Sequence, residues 1–371
     1  MTNSMTLAEL NRRNAHPYHM YDAIRAQPAL IHEVLQANTL QLDQAVEFLK
    51  RQGSWYFCGI GTSFHAVLVG EYFMRLLVDD FIPTRAIHSF EFVCYPPPVR
   101  EDTGVLVVSH RGTKNYSLQA LEQANRRGAT TIVITGKDSA EGIHRAHTVL
   151  MTVDQEISAA HTKSYTTALS LLAALIIQLG RHVGKDIEVA RAQLTRVPEF
   201  IQRALETEAH IQELAQELTE KEFVVFVGGG PNTATAYEVA LKMKETNYTP
   251  CEGFQAEQFL HGPVAGLSDK MAVWVIAPPG PSYSRCLEIV KVANTIGATT
   301  VALVEEEDQN LAKIATHTIN LPKMMEALTP LVYIIPLQLF SYYLALTKGA
   351  NPDIFHFDDP RHQQTKRHYN L

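Results

Sequence analysis

The sequence has few of the residues that mark secreted, zinc-binding or nucleic-acid-binding proteins. Its four cysteines are far apart and form no CxxC pair, so neither a disulfide framework nor a cysteine-based zinc site is indicated. Buried thiols in a reducing compartment are the ordinary alternative. Basic residues are outnumbered, with 32 Lys and Arg against 39 Asp and Glu. This balance argues against nucleic acid or an anionic membrane as a partner, because both attract basic surfaces.

Long apolar runs are also missing. The first twenty residues contain no apolar core of the kind found in a secretory signal. The longest apolar stretch, near residues 168–177, is shorter than the roughly 20 residues of a membrane span. We therefore expect a cytoplasmic protein. The length of 371 residues predicts two domains.

An internal repeat organises the chain. The sequence GATT at 128–131 recurs at 297–300, an offset of 297 − 128 = 169. At the same offset, the glycine-containing run 56–61 falls on 225–230, and a third apolar run follows in the same order. Three ordered matches at one offset indicate two copies of one domain.

Each copy alternates short apolar strands with helices. The strands are continuous apolar runs, such as VLVV at 105–108, which are typical of parallel strands buried on both faces. We expect an α/β fold with two parallel sheets, each flanked by helices as an α/β/α sandwich. The predicted segments are an N-terminal helical segment at 1–40, a first domain at 41–200, a second domain at 201–350 and a tail over the active site at 351–371.

The loop after the third strand of the first copy has the composition of an anion site. Residues 109–117 read SHRGTKNYS and lead into a helix, whose N–H groups and positive end would face an anion. An ordinary turn capped by Thr113 or Asn115 is the alternative. The second copy has PPGPS at 278–282, and its prolines lack N–H donors. This divergence favours a single phosphate site, in the first copy.

The turn after the first strand, GIGTS at 59–63, begins like a dinucleotide-binding motif. However, Phe64 stands at the third glycine position, and a lone GxG is weak evidence for nucleotide binding. We expect Thr62 and Ser63 to offer hydroxyl groups to a sugar, and we expect no cofactor.

The second copy holds candidate acid and base groups. Glu238, Lys242 and Glu245 have i, i+4, i+7 spacing, which puts them on one helix face. From this spacing alone, an exposed salt bridge is the commoner interpretation. His261 precedes Gly262 and Pro263, which would end the helix and fix the imidazole there. A histidine at such a turn is more often structural.

Together these motifs resemble the isomerase half of glutamine–fructose-6-phosphate aminotransferase and its relatives in the SIS (sugar isomerase) family. The relatives include amino-sugar phosphate deaminases and fructosamine deglycases. The matching segments are IGTS at 60–63, SHRG at 109–112, EISAAHTK at 156–163, the segment 238–263 and DDPR at 358–361. The resemblance spans nearly the whole chain and implies two tandem SIS domains.

The resemblance also implies a role for each candidate residue. Glu245 would shuttle a proton between C1 and C2, Lys242 would tune it, and His261 from the neighbouring subunit of a homodimer would open the sugar ring. The residues that would bind the phosphate or the sugar are Thr62, Ser63, Ser109, His110, Arg111, Thr113, Lys114, Ala159 and Glu238. Aldose–ketose interconversion needs one base at two adjacent carbons and a second acid/base at the ring oxygen. No metal is implied.

Three departures from the family pattern bear on the reaction. No glutaminase domain precedes the SIS part, so we expect no use of glutamine as an ammonia source. The phosphate loop reads SHRGTK where the family has SQSGET. The tail lysine that forms a Schiff base in the aminotransferases is replaced by Thr365, and Lys366 follows it. Schiff-base chemistry would therefore be absent, altered or carried by Lys366.

The leading hypothesis is an enzyme that interconverts an amino-sugar phosphate, similar to glucosamine 6-phosphate, with a ketose phosphate and ammonia. A fructosamine-type deglycase and a plain ketose–aldose isomerase are alternatives that use related chemistry. A sugar-phosphate-binding regulator without catalysis is a further alternative. The sequence adds no DNA-binding segment and retains the acid/base pair, which favours an enzyme.

Overall fold

The computed structural model describes residues 11–365 and 367–368. Within these, the chain forms two compact units. The first unit gathers residues 27–155, 163–198 and 367–368, and the second gathers 11–26, 156–162 and 199–365. The short segment 156–162, which lies inside the first repeat of the sequence, therefore packs with the second unit.

The first unit is built on a parallel sheet that contains five strands in the described part of the chain, in the order β2-β1-β3-β4-β5. The strands are β1 (Ser54–Gly59), β2 (Thr84–His88), β3 (Thr103–Val108), β4 (Thr130–Thr135) and β5 (Thr148–Met151). The helices up to residue 205 are α1 (His19–Ala37), α2 (Thr39–Leu49), α3 (Thr62–Val78), α4 (Ser89–Cys94), α5 (Asn115–Arg126), α6 (Lys163–His182) and α7 (Glu188–Leu205). Every residue of β3 is buried, as expected for a central parallel strand.

The second unit has a parallel sheet of the same kind, with the described strands in the order β10-β9-β8-β6-β7. The strands are β6 (Phe223–Gly228), β7 (Cys251–Gln255), β8 (Met271–Ile276), β9 (Thr299–Glu305) and β10 (His317–Leu321). The remaining helices are α8 (Glu208–Glu217), α9 (Asn232–Thr246), α10 (Ala256–Leu260), α11 (Tyr283–Ile296), α12 (Pro330–Thr347) and α13 (Pro360–Thr365). Read from the other edge, this strand order repeats that of the first sheet, so the two sequence copies have one topology.

The repeat extends to individual hydrogen bonds. The Thr131 hydroxyl donates to Asn125 Oδ1 at 3.0 Å, and the Thr300 hydroxyl donates to Asn294 Oδ1 at 2.8 Å. Both pairs tie the start of a strand to the end of the preceding helix. The predicted two-copy α/β architecture is thus confirmed, whereas the predicted segment boundaries stay predictions.

Some elements differ from the sequence prediction. Strand β7 and the short helix α4 were not predicted. Cys94 is exposed, while the other three cysteines are buried as expected. The most apolar long helix is α12 rather than the stretch at 168–177. By length and composition alone α12 could span a membrane, but 89% of it is buried inside the protein, as in a core helix.

The tail from residue 351 to residue 365 is part of the second unit. Asp353 is buried, and its carboxylate accepts hydrogen bonds from the backbone N–H groups of His19 at 3.0 Å and Met20 at 2.9 Å. Its carbonyl oxygen accepts the N–H of Ala159 at 2.9 Å. One tail residue therefore holds both the start of α1 and the segment 156–162.

Candidate active site

Three charged side chains on α9 form a buried cluster. Lys242 Nζ lies 3.5 Å from Glu238 Oε1 and makes a short hydrogen bond to Glu245 Oε2. The side chains of Lys242 and Glu238 are 1% and 0% exposed, and that of Glu245 is 18% exposed. The sequence spacing correctly predicted a common face, but the interpretation as an exposed salt bridge is wrong.

The neighbourhood of α12 explains this burial. Helix α9 packs against α12, and the Asn247 side chain donates to the Ser341 carbonyl oxygen at 3.0 Å. The Thr246 hydroxyl donates to the Lys242 carbonyl oxygen at 2.8 Å, which closes the last turn of α9. The charged face of α9 is therefore fixed in a packed environment, where ionic groups must be paired.

A third carboxylate, that of Glu156, acts on the same ammonium group. Burial alone would lower the pKa of Lys242, but Glu245, Glu238 and Glu156 together outweigh this effect and raise the pKa. Glu156 is 1% exposed, and its carboxylate accepts the backbone N–H of Thr162 at 3.0 Å. The sequence analysis gave Glu156 no role. Its position in the EISAAHTK segment was the available signal.

The charge balance of this cluster suits proton transfer. If all three carboxylates are ionised, Lys242 compensates only one of their three charges. Glu245 is the most exposed of the cluster members on α9, so it is the carboxylate best placed to reach a ligand.

His261 lies at the surface of the second unit. It is the C-cap residue of α10, and Gly262 after it has φ = 124°, a conformation that favours glycine. The side chain is 70% exposed, and Nε2 lies 2.8 Å from Glu257 Oε1. The glycine thus ends the helix at His261 as predicted, and Glu257 orients the imidazole.

The loop at residues 109–114 forms the turn between β3 and α5 in the first unit. Ser109 is 3% exposed, and its hydroxyl is buried with no hydrogen-bond partner in the described part of the chain. A buried hydroxyl without a partner costs about 1–3 kcal/mol, which a ligand could offset. The N-cap position of α5 is held by Lys114, and no side chain caps the helix. The turn capped by Thr113 or Asn115 is therefore not observed.

The other predicted residues of the first unit divide between the loop surface and its interior. Thr113 is exposed, whereas Arg111 and Lys114 are half-buried. His110 is buried, and its Nδ1 lies 3.3 Å from the Thr152 hydroxyl, so the ring packs inside the loop. Thr62 and Ser63 begin α3. Because β1 and β3 are neighbours, the loops at their carboxyl ends lie side by side.

The predicted residues are therefore found in two groups. The second unit holds Glu238, Lys242, Glu245 and His261, together with Ala159, whose backbone N–H is bonded to Asp353. The first unit holds Thr62, Ser63, Ser109, His110, Arg111, Thr113 and Lys114. Lys366 lies outside the described residues.

The corresponding loop of the second unit, at residues 278–282, carries no cationic side chain. With the offset of 169, Arg111 corresponds to Gly280 (111 + 169) and Lys137 to Glu306 (137 + 169). A Cβ atom on Gly280 would lie 2.6 Å from Glu326 Oε2, so a carboxylate fills the space beside the loop. A carboxyl group beside this loop offers a phosphate no positive charge. The single phosphate site in the first copy stays a prediction.

Comparison with known proteins gives consistent matches. The family model of the SIS domain matches residues 48–178 and 217–348. The chain is 31% identical over 349 residues to a glutamine–fructose-6-phosphate aminotransferase of Pyrococcus horikoshii and 32% identical over 350 residues to that of Methanothermobacter thermautotrophicus. In both cases the match covers 93% of this chain and 57% of the relative. The chain thus spans a little over half the length of these curated relatives.

Solved structures share the fold. The C-terminal domain of the glucosamine-fructose-6-phosphate aminotransferase from Francisella tularensis superposes with a TM-score of 0.84 at 21% identity, covering 92% of this chain and 98% of that one. A glucosamine-6-phosphate deaminase from Thermotoga maritima superposes with a TM-score of 0.71 at 21% identity, covering 91% and 97%. At this level of identity the likeness establishes the fold alone.

Proposed function

The chain belongs to the SIS domain family, and on that premise we propose that it is a cytoplasmic sugar-phosphate isomerase and deaminase. Its reaction interconverts an amino-sugar phosphate, similar to glucosamine 6-phosphate, with a ketose phosphate and ammonia. The observation that carries this proposal is the buried cluster of Glu238, Lys242 and Glu245, in which a partly accessible carboxylate is paired with a fixed ammonium group. The deaminase named among the solved structures with this fold adds support.

In the proposed reaction the ring opens first and exposes the C1 aldehyde. Glu245 then removes the C2 proton, and the electron pair of that C–H bond forms the C1–C2 double bond. The π pair of the C1 carbonyl moves to its oxygen, which takes a proton from water, and the product is an enolamine. Return of the proton to C1 gives a ketimine, and water hydrolyses it to the ketose and ammonia. A positioned acid/base of this kind contributes about 10²–10⁴-fold to the rate.

Lys242 keeps the base in place during these steps. Burial lowers the pKa of Lys242, but the three carboxylates raise it by more, so the net shift is upward. Lys242 therefore stays an ammonium group at neutral pH. It therefore holds Glu245 by a hydrogen bond and an ion pair rather than competing for the substrate proton. Glu238 and Glu156 hold the other side of the ammonium group.

The phosphate is proposed to bind at residues 109–114 in the first unit. The buried Ser109 hydroxyl, the half-buried Arg111 and Lys114, and the uncapped start of α5 offer donors and positive charge. Such a helix start binds anions through its N–H groups and its dipole. Thr62, Ser63 and Ala159 are proposed to contact the sugar.

His261 is proposed to open the ring in the site of a second copy of the chain, in a homodimer. Its exposed side chain and its contact with Glu257 suit an acid/base group that acts on another molecule. Measurement of the oligomeric state, and of activity restored by mixing Glu245→Gln and His261→Ala subunits, tests this part. Restored activity is expected only if the two residues serve one site from different chains.

The central test uses the purified chain with glucosamine 6-phosphate and measures ammonia and ketose phosphate. We expect turnover in the wild type and a loss of about 10²–10⁴-fold in Glu245→Gln, with binding of the sugar phosphate retained. Glu252→Gln, an exposed carboxylate in β7, is the matched control and should keep full activity. Full activity of Glu245→Gln would remove that residue from the mechanism.

The same assay separates the alternatives. Turnover of glycated amino-acid phosphates alone would indicate a deglycase. Ketose–aldose interconversion without ammonia release would indicate a plain isomerase. Binding of sugar phosphates with no turnover on any of these substrates would indicate a regulator and overturn the proposed activity.

A further inference from the structure

The tail of the second unit brings together two imidazoles and a carboxylate that the proposed reaction does not use. His356, Asp359 and His362 each offer one ligand atom, and these three atoms all lie within 4.8 Å of one another. Imidazole nitrogen and carboxylate oxygen are the ligands of many zinc and other transition-metal sites. The sequence analysis implied no metal because it considered mainly the cysteines and the family motifs.

His356 is held rigidly at the centre of this group. Its ring is stacked on Tyr248, with a centroid distance of 3.8 Å and an interplanar angle of 5°. Its backbone N–H also donates to the Tyr248 hydroxyl at 2.8 Å. These two contacts fix both the backbone and the ring plane, so little side-chain entropy remains to be lost on binding a ligand.

One nitrogen of this ring lacks a partner. His356 Nδ1 is buried and has no hydrogen-bond partner in the part of the chain that the structure describes. The Asp358 carboxylate is 3.7 Å away, which is beyond hydrogen-bond distance. A buried ring nitrogen without a hydrogen bond is unfavourable, and coordination to a metal ion would satisfy it.

Asp359 is oriented by Arg361. The Arg361 backbone N–H donates to Asp359 Oδ1 at 2.7 Å, and Nη2 donates to Oδ2 at 2.7 Å. Arg361 Nε also lies 3.2 Å from both carboxylate oxygens, so a metal ion would have to displace this longer bond from one of them. Partners of this kind, which fix a ligating carboxylate from behind, are a regular part of metal sites.

His362 is the adjustable member of the group. Its ring lies over that of His356 at 4.4 Å with an interplanar angle of 22°. Two nearly parallel rings do not direct their in-plane lone pairs at one ion, so His362 must turn on binding. Ligand atoms about 2.1 Å from zinc in a tetrahedral site lie about 3.4 Å apart. The three atoms lie within 4.8 Å of one another, so they must approach by at most about 1.4 Å (4.8 − 3.4). The side chain of His362 is exposed, so its turn has to break only the stacking on His356.

We propose that His356, Asp359 and His362 bind one divalent transition-metal ion, with zinc as the preferred ion and water in the fourth position. The site uses none of the residues of the proposed reaction. Nitrogen ligands favour zinc, cobalt or nickel over magnesium and calcium, which prefer oxygen. His356 is stacked on and hydrogen-bonded to Tyr248, which lies just after α9. A metal ion bound to His356, Asp359 and His362 would therefore link α13 to the end of α9.

The test uses the full chain without a histidine tag. Calorimetric titration with ZnCl2 should show one ion per chain, and CoCl2 should give the strong visible absorption of tetrahedral cobalt. MgCl2 should give no binding. His362→Ala is expected to weaken zinc binding at least about tenfold, by comparison with the loss of supporting groups in known sites. His182→Ala, which removes an exposed histidine elsewhere in the chain, is the control and should bind as the wild type does.

His362 is exposed, so its replacement should leave the fold intact, and an unchanged melting temperature of the metal-free variant checks this. His356→Ala provides a second variant, and it should abolish the one-to-one cobalt spectrum. The proposal is overturned if the wild type binds no stoichiometric zinc. It is equally overturned if both variants bind zinc with wild-type affinity, since the ion would then lie at other histidines.

Discussion

The ammonium group of Lys242 stabilises the second unit as well as the proposed site. It is almost fully buried between carboxylates, and its removal would leave Glu238 and Glu156 as buried charges without their main counter-charge. Replacing one member of a buried ion pair is strongly destabilising because the remaining charge is not solvated. The stability of this unit should therefore depend on Lys242.

Lys242→Met is expected to lower the free energy of unfolding by roughly 3–5 kcal/mol. Methionine matches the length of the lysine side chain but supplies no charge. Lys244→Met, at an exposed position of the same helix, is the control and should change stability by no more than about 0.5 kcal/mol. Denaturant titration of both variants measures the difference. Equal stability of the two variants would mean that the second unit does not depend on the charge of Lys242.

The sequence predicted which of these residues share a helix face but not that the face is buried. The i, i+4, i+7 spacing is a property of the helix alone. Burial depends on α12, about ninety residues further along, and on Glu156, which comes from the other copy of the repeat. No local pattern contains that information, so the commoner exposed interpretation was favoured and Glu156 was missed.

At the scale of elements, each sheet begins with the same strand–turn–helix geometry. A Cβ atom on Gly59 would lie 2.4 Å from the Ser63 carbonyl oxygen, and one on Gly228 would lie 2.2 Å from the Asn232 carbonyl oxygen. The helix after the first strand of each copy thus approaches its strand so closely that only glycine fits. This requirement explains why both glycines appear in the sequence repeat.

Gly228→Ala is expected to destabilise the protein by about 1–3 kcal/mol or more, because the added methyl group meets backbone rather than a flexible side chain. Gly266→Ala is the control, since no heavy atom lies within 4 Å of its added Cβ, and it should be nearly neutral. Thermal unfolding of the two variants gives the comparison. A neutral Gly228→Ala variant would mean that α9 can move away from β6 at little cost.

Buried strands and long helices were predicted well, whereas edge elements were not. Strand β3 is buried at every residue, and its continuous apolar run gives a strong signal. Strand β7 pairs on one side only, and its sequence CEGFQ has one buried residue. An edge strand has no need for a continuous apolar run, so β7 was missed. The short helix α4 gives too few turns for a periodic pattern.

At the scale of the whole molecule, the net charge is −7, but the charge of the loops differs between the two sheets. The loops at the carboxyl edge of the first sheet carry Arg111, Lys114 and Lys137, while those of the second carry Glu306 and Glu326. The absence of a polyanionic partner stays a prediction from this total charge, which does not show where an anion could bind. Comparison of the two copies position by position distinguishes the loop 109–114, which carries Arg111 and Lys114, from its uncharged counterpart at 278–282.

Hydrogen bonds also join the start of α1 to the C-terminal tail. The carboxylate of Asp353 accepts the N–H groups of His19 and Met20, which are the first two residues of α1 and have no partners within their own helix. Asp353 is therefore an N-cap supplied from more than 330 residues away. No spacing rule relates such residues, and the sequence analysis gave Asp353 no role.

Asp353→Ala should remove two hydrogen bonds to a charged acceptor and leave the start of α1 uncapped, at a cost of roughly 2 kcal/mol. Hydrogen exchange of the amides at residues 19–24 is then expected to accelerate, and the exchange at Ala159 should follow because its N–H is bonded to the Asp353 carbonyl oxygen. Asp22→Ala is the control: it removes an exposed carboxylate in the first turn of α1 that pairs with Arg13. An exposed pair of this kind contributes about 0–1 kcal/mol, so its loss should leave exchange nearly unchanged. Equal exchange in the two variants would mean that α1 is held by its packing and that the cap from the tail adds nothing.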